Sequence, residues 1–360
     1  MTIVRPAHCG PGPMRGTDPR EAARVVLGEC HDLPFLPELA TRGLGADLLG
    51  RSLAMLTDLP FDISPRGWRL ARSSGRAARR AVDLLERDCD ALEEATEAAR
   101  DPEAGISPAA RRLQIRVTGP WSLAAAIELP GGLPVLTDRG ARRDLAAALA
   151  DGVAERAGRL ARAVGARPRI LLDEPLLWRV VAGTVAPPSR LDPIPAVPAE
   201  QLGLSLCRLG EELRRGGVAE VVIRVPSEGD PDAPPVWPVV AEPPRGEVPL
   251  DGVCLPAEPL YSARSHSALD AAGAHLGDGR ILQLEGLPGP GGPPRNATEA
   301  ERAAAQVVAL LDRLGAPRED SLARLVLTPG VEQITNGRHS DAEVLAGVRR
   351  VADAAARVAQ

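Results

Sequence analysis

Short apolar runs alternate along this chain with longer stretches in which apolar residues return every three or four positions. The runs predict strands at Ile3–His8, Leu33–Leu36, Leu113–Val117, Ile170–Asp173, Glu220–Val225, Gly252–Leu255, Ile281–Leu284 and Leu325–Thr328. Most are rich in Val, Ile and Leu, as strands covered on both faces should be. The clearest helix is Gly140–Val164, where Leu145, Leu149, Val153, Leu160 and Val164 form one stripe and Thr137 or Asp138 can cap the start. Further helices are predicted at Pro19–Cys30, Arg76–Arg100, Gln201–Arg215, Ala300–Leu314 and Asp341–Val358. Alternation of strand and helix implies parallel βαβ units. Eight strands in 360 residues, with no break in composition, predict an α/β fold: one (β/α)8 TIM barrel over residues 1–360, with an open doubly wound sheet as the alternative. Two Pro/Gly-rich stretches, Pro226–Pro249 and Gly286–Pro294, follow strand ends and would lie on the C-terminal rim, where barrel sites are built.

Composition narrows the chemistry. The net charge of −5 gives no reason to expect a nucleic acid or an anionic membrane as partner. All 43 strongly basic residues are arginine, which excludes a Schiff-base lysine or a lysine general base. Five cysteines (9, 30, 89, 207 and 254) without a CxxC spacing suit free thiols in a reducing compartment. With no membrane-length apolar stretch and no signal-peptide core, the sequence reads as a cytoplasmic protein whose partner is a small molecule, and it leaves the oligomeric state open.

One run asks for chemistry. In Ile170-Leu171-Leu172-Asp173-Glu174-Pro175 a buried strand ends on two acids. In a barrel this end faces the mouth, where Asp173 could bind an ammonium or a thiol, or act as acid or base. The structural alternative is local: Pro175 suits the first position of a helix, which would make Glu174 its N-cap.

The segments around this run carry a resemblance. LQIRVTGPWSLAAAIELPGG (113–132), LTDRGARRDLAAALADGVAERAGRLARAV (136–164), ILLDEPLLW (170–178), GTDPREAARVVLGE (16–29) and LPELATRGLGADLLGRS (36–52) together resemble the cobalamin-independent methionine synthase family in its short, single-barrel form. The resemblance runs from about residue 7 to the end of the chain. It implies a barrel of the methionine synthase/uroporphyrinogen decarboxylase class and methyl transfer from a folate to the thiol of homocysteine or a related nucleophile, as in methionine biosynthesis. In that family a zinc ion holds the thiol and lowers its pKa. The resemblance further implies substrate-binding roles for Gly12, Glu38, Trp121 and Asp173, with Asp173 holding the substrate amino group.

The zinc ligands do not carry over. The family's His and Cys after the fifth strand fall on Arg224 and Pro226, and its final Cys falls on Val331. A guanidinium has no acceptor, and proline and valine have no side-chain donor atom. Glu258 lies near the fourth ligand position. Pro13 also replaces a serine in the Gly-rich segment Gly10-Pro11-Gly12-Pro13. No metal cofactor is therefore expected, and a folate donor would meet an unactivated thiol. A relocated set of His8, Cys9, Cys254 and Glu258 is chemically reasonable, but adjacent His8 and Cys9 should point to opposite faces of a strand. Arg224 could bind an anion, or pair with Glu228 or Asp173 and neutralise the old pocket. Cys89 and Cys207 sit in helical patterns, and His266, His275 and His339 read as solvated. Trp68, Trp178 and Trp237 read as packing residues.

Three functions follow. One is a methyltransferase of the methionine synthase type with a degenerate zinc site. Another is a non-catalytic barrel that binds or senses an amino acid or other small molecule. The last is a metal-free lyase like the uroporphyrinogen decarboxylases, using Arg224 and Asp173 on a carboxylate.

Overall fold

The computed structural model describes residues 4–99, 111–186, 193–225, 237–241, 246–262, 266–287 and 292–359. Nine strands occur there: β1 (Ala7–His8), β2 (Phe61–Ser64), β3 (Gly67–Leu70), β4 (Arg112–Thr118), β5 (Arg167–Asp173), β6 (Glu220–Arg224), β7 (Gly252–Pro256), β8 (Ile281–Glu285) and β9 (Leu325–Thr328). Seven form one parallel sheet in the order β1-β9-β8-β7-β6-β5-β4. The gap between its ends is filled by residues 34–38. Leu36 donates to the Gln114 carbonyl at 3.0 Å on one side, and Glu38 donates to the Gly12 carbonyl at 2.9 Å on the other. This irregular eighth position is the run predicted at Leu33–Leu36, and it closes the (β/α)8 barrel.

Alternation along each strand sorts the two faces. Ile115, Val117, Ile170, Leu172, Val221, Ile223, Val253, Leu255, Leu282 and Leu284 join the main core between strands and helices. Leu171, Val222 and Cys254 form a separate cluster on the inner face. Also inside, Arg169 donates to Gln283 at 2.7 Å and Gln283 donates to Thr328 at 3.0 Å, so a polar layer crosses the barrel beneath its mouth.

The long helix Arg139–Ala163 starts where the sequence places it, with Asp138 accepting from the Ala141 N–H at 2.9 Å. The antiparallel hairpin β2–β3 is an addition that the βαβ pattern did not announce. Its four-residue strands carry little period to read. The first strand among the described residues is only Ala7–His8, shorter than the predicted Ile3–His8, whose first residue lies outside them. Of the two Pro/Gly-rich stretches, residues 226–236, 242–245 and 288–291 lie outside the described residues.

Candidate functional site

The C-terminal ends of the parallel strands bring five charged side chains together. Asp173 ends β5, Arg224 ends β6, Glu285 ends β8, Arg116 lies on β4, and Glu38 ends the irregular eighth position. Arg116 donates from Nε to Asp173 Oδ2 at 2.9 Å and from Nη2 to the same oxygen. It also donates from Nη1 to Glu38 Oε2 at 3.1 Å. Arg224 donates from Nη1 to Asp173 Oδ1 at 3.1 Å. It grips Glu285 in bidentate fashion, through Nε and through Nη2 at 3.0 Å. The order around the mouth is Glu38–Arg116–Asp173–Arg224–Glu285, a lattice of alternating sign. Asp173 lies at its floor, with 1% of its side chain exposed against 10% for Arg116 and 14% for Arg224.

Burial and charge act against each other here. Burial disfavours both guanidinium charges, but the neighbouring carboxylates more than offset it, and Arg116 and Arg224 are held above their ordinary pKa. For Glu38 burial prevails over Arg116 and Arg51, and Asp173 adds repulsion, so its pKa is raised. Its second oxygen, Oε1, is buried without a hydrogen-bond partner. Gly12 is packed against that oxygen. Its φ of +106° belongs to glycine, and a Cβ there would stand 2.4 Å from Glu38 Oε1.

Glu174 has a different task. It does not cap a helix beginning at Pro175, because the next helix runs over Leu177–Ala182 without a side-chain cap. Its carboxylate instead accepts the Trp121 N–H at 3.1 Å and the Ser122 N–H at 2.7 Å, capping the neighbouring helix Pro120–Ala126. Gly119 makes room, since a Cβ there would lie 2.3 Å from Glu174 Oε1. Burial raises the Glu174 pKa to about 7 despite these bonds. Asp173 thus faces the mouth as the first reading expects, whereas Glu174 caps a different helix from the one the second reading named.

Among the expected site residues, Gly12, Glu38, Asp173 and Arg224 converge. Trp121 does not. Its indole donates to Ser205 at 2.7 Å and lies under the Arg142 guanidinium, on the side of the outer helices. Glu258 is exposed at the start of the helix Glu258–Tyr261, Val331 begins the helix Val331–Thr335, and Pro226 and Glu228 lie outside the described residues. A zinc ion does not fit this mouth: two guanidiniums stand there, and neither Arg224 nor Val331 offers a lone pair. Among the described residues no three His, Cys, Asp or Glu side chains are placed to hold a metal. The relocated set does not assemble either. Cys9 is near Arg169 and is pushed by burial to about 12, whereas His8 turns away to the Glu29 carbonyl at 2.7 Å.

One expectation needs correction, and two residues of the site were missed. His275 is not solvated. It is buried against Trp237 and bonds the Ile281 carbonyl at 3.0 Å, with its pKa lowered by burial to about 4. Arg116 and Glu285 escaped sequence reasoning although a signal existed. Gln114, Arg116 and Thr118 occupy alternate positions of β4, as do Gln283 and Glu285 of β8, so period-two polarity marked an inward face.

This is an α/β barrel with a charged cup at the C-terminal end of its strands. No family model matches the sequence, and no curated protein matches it. Solved structures do resemble it. A methyltransferase from Methanosarcina mazei shares 13% identity over 99% of this chain and 95% of its own, with a TM-score of 0.52. A B12-independent methionine synthase from a Shewanella species shares 11% over 99% of this chain and 98% of its own, at 0.47. A β-mannanase from Alicyclobacillus acidocaldarius shares 12% over 99% and 97%, at 0.41. At such identity the first likeness establishes the barrel fold and nothing finer.

Proposed function

We propose that this is a metal-free barrel of the methionine synthase type that binds a small zwitterion, an amino acid or a related thiol-bearing molecule, in its charged mouth. The observation that carries the reading is the buried, unpartnered oxygen of Glu38. A buried carboxylate oxygen without a donor is costly, and a ligand ammonium would satisfy it. Three carboxylates face two guanidiniums, leaving one negative charge in excess when all are ionised. An ammonium balances that excess, and the ligand carboxylate takes outward N–H groups of Arg116 and Arg224.

Methyl transfer to homocysteine, which the sequence resemblance implies, is the second reading. It meets a physical obstacle in this mouth. A free thiol with a pKa of ~8.5 is only a few per cent ionised at neutral pH. Arg224 stands where a metal ligand would be needed to change that. The decarboxylase-like reading would use the same guanidiniums on a substrate carboxylate, but a ligand without an ammonium leaves the buried Glu38 Oε1 unsatisfied.

Calorimetric titration with amino acids and thiols tests the proposal. A ligand should bind with an affinity that EDTA does not change and that both Glu38→Gln and Asp173→Asn weaken. Binding that requires added zinc, or ligand affinity unchanged in both variants, would contradict it.

A further inference from the structure

A second concave site lies outside the barrel, between the helices Arg139–Ala163 and Ala199–Arg215. Its volume is about 640 Å³, within the range that encloses small organic ligands. The floor is apolar, made by Trp121, Ala124, Ala146 and Leu204. The walls are basic: Arg139, Arg142, Arg143 and Arg208 line the cleft, against Glu212 as its single lining acid.

The arginines are poorly neutralised. Arg143 and Arg208 reach carboxylates only at 3.7 and 3.4 Å, through exposed side chains. Arg139 and Arg142 have no ion-pair partner among the described residues. Arg142 lies over the Trp121 ring at 5.2 Å, and its Nε is buried without an acceptor. An orphaned donor beside a half-buried cation calls for an anion. The Trp121 indole N–H is already committed to Ser205, so the floor is a fixed apolar surface with no donor of its own to satisfy.

We propose that this cleft binds an organic anion with an apolar body, such as an acyl or aryl carboxylate or sulfonate. The hydrocarbon lies on Trp121, Ala124 and Leu204, and the acid group meets Arg142 and Arg139. One adjoining feature extends the apolar run. A smaller hollow of about 320 Å³ shares Arg142 and Gln201 with the cleft and is walled by the segment Pro193–Pro198. A longer chain could continue into it. Inorganic phosphate, which has no apolar body, would bind weakly or not at all.

The probe is 8-anilinonaphthalene-1-sulfonate, titrated by fluorescence into the full-length protein. Saturable binding is expected, displaced by decanoate and not by decyltrimethylammonium, which has the same chain and the opposite charge. The double substitution Arg139→Gln with Arg142→Gln should weaken probe affinity by about tenfold or more. Because Arg142 packs on Trp121, Arg208→Gln is the milder companion. It lies on an exposed helix face and should weaken binding by about threefold with unchanged thermal stability. Unsaturable binding, equal displacement by the two amphiphiles, or an affinity that neither variant changes would overturn the proposal.

Discussion

The same side chain does opposite things in two parts of this molecule. At the barrel mouth, Arg116 and Arg224 are each held by two carboxylates and nearly buried. In the outer cleft, Arg139 and Arg142 have no ion-pair partner among the described residues, and one of them lies on an indole. The mouth resembles a buried salt: its charges are compensated, and removing one strands the rest. The cleft resembles a binding surface, where cations that lack a counter-charge are available to a ligand. An arginine count along the sequence does not separate these cases; the density of acids at neighbouring strand ends does.

That contrast can be broken by mutation. Arg224→Met should be the most damaging change, because it leaves Glu285 nearly buried without its guanidinium and Asp173 with Arg116 alone; a loss of about 3–5 kcal/mol in urea unfolding is expected. Arg142→Gln in the cleft should cost less than about 1 kcal/mol in the same assay. Comparable losses in the two variants would remove the distinction between the regions.

The next effect is a pH dependence. Burial raises Glu174 from its ordinary 4.5 to about 7 in the folded protein. The folded state therefore binds a proton that the unfolded chain releases between those values. Stability from this group is fully present below about 4.5 and is lost as pH rises through about 7, by at most about 3 kcal/mol. Raised Glu38 acts in the same direction. Melting temperatures taken across this interval should fall less steeply for Glu174→Gln than for the parent. Parallel slopes would show that Glu174 ionises normally.

A smaller loss is expected for Gly12→Ala. Its positive φ and the 2.4 Å approach to Glu38 Oε1 both penalise a Cβ, and together they should cost about 1–3 kcal/mol. The same variant should also weaken amino-acid binding, since the methyl group would cover the oxygen offered to the ammonium. Retained affinity alongside the stability loss would separate Gly12 from the ligand site.

Much of this architecture was legible in the chain. Runs such as Ile170–Asp173 and Leu325–Thr328 end where the strands end, and the long helix starts beside the capping Asp138. The hairpin β2–β3 was not legible, because its strands are short and interrupt a βαβ rhythm. Of the site, Glu38, Asp173 and Arg224 were readable because the resemblance pointed at their positions. Arg116 and Glu285 were not, because their ion pairs span 57 and 61 residues of sequence and exist only once neighbouring strand ends meet at the mouth. Glu174 was misplaced for a related reason: capping is read locally, whereas this cap reaches back 53 residues to another strand's helix. Trp121 was assigned to the mouth by the resemblance, but its indole faces the outer helices and donates to Ser205.

The central claim is that Arg224, held by Asp173 and Glu285, stands at a position where the sequence resemblance puts a zinc ligand. Elemental analysis of protein purified from zinc-supplied medium tests it most directly. The account predicts zinc well below one equivalent per chain. One tightly held zinc ion per chain, retained through dialysis against EDTA, would contradict it.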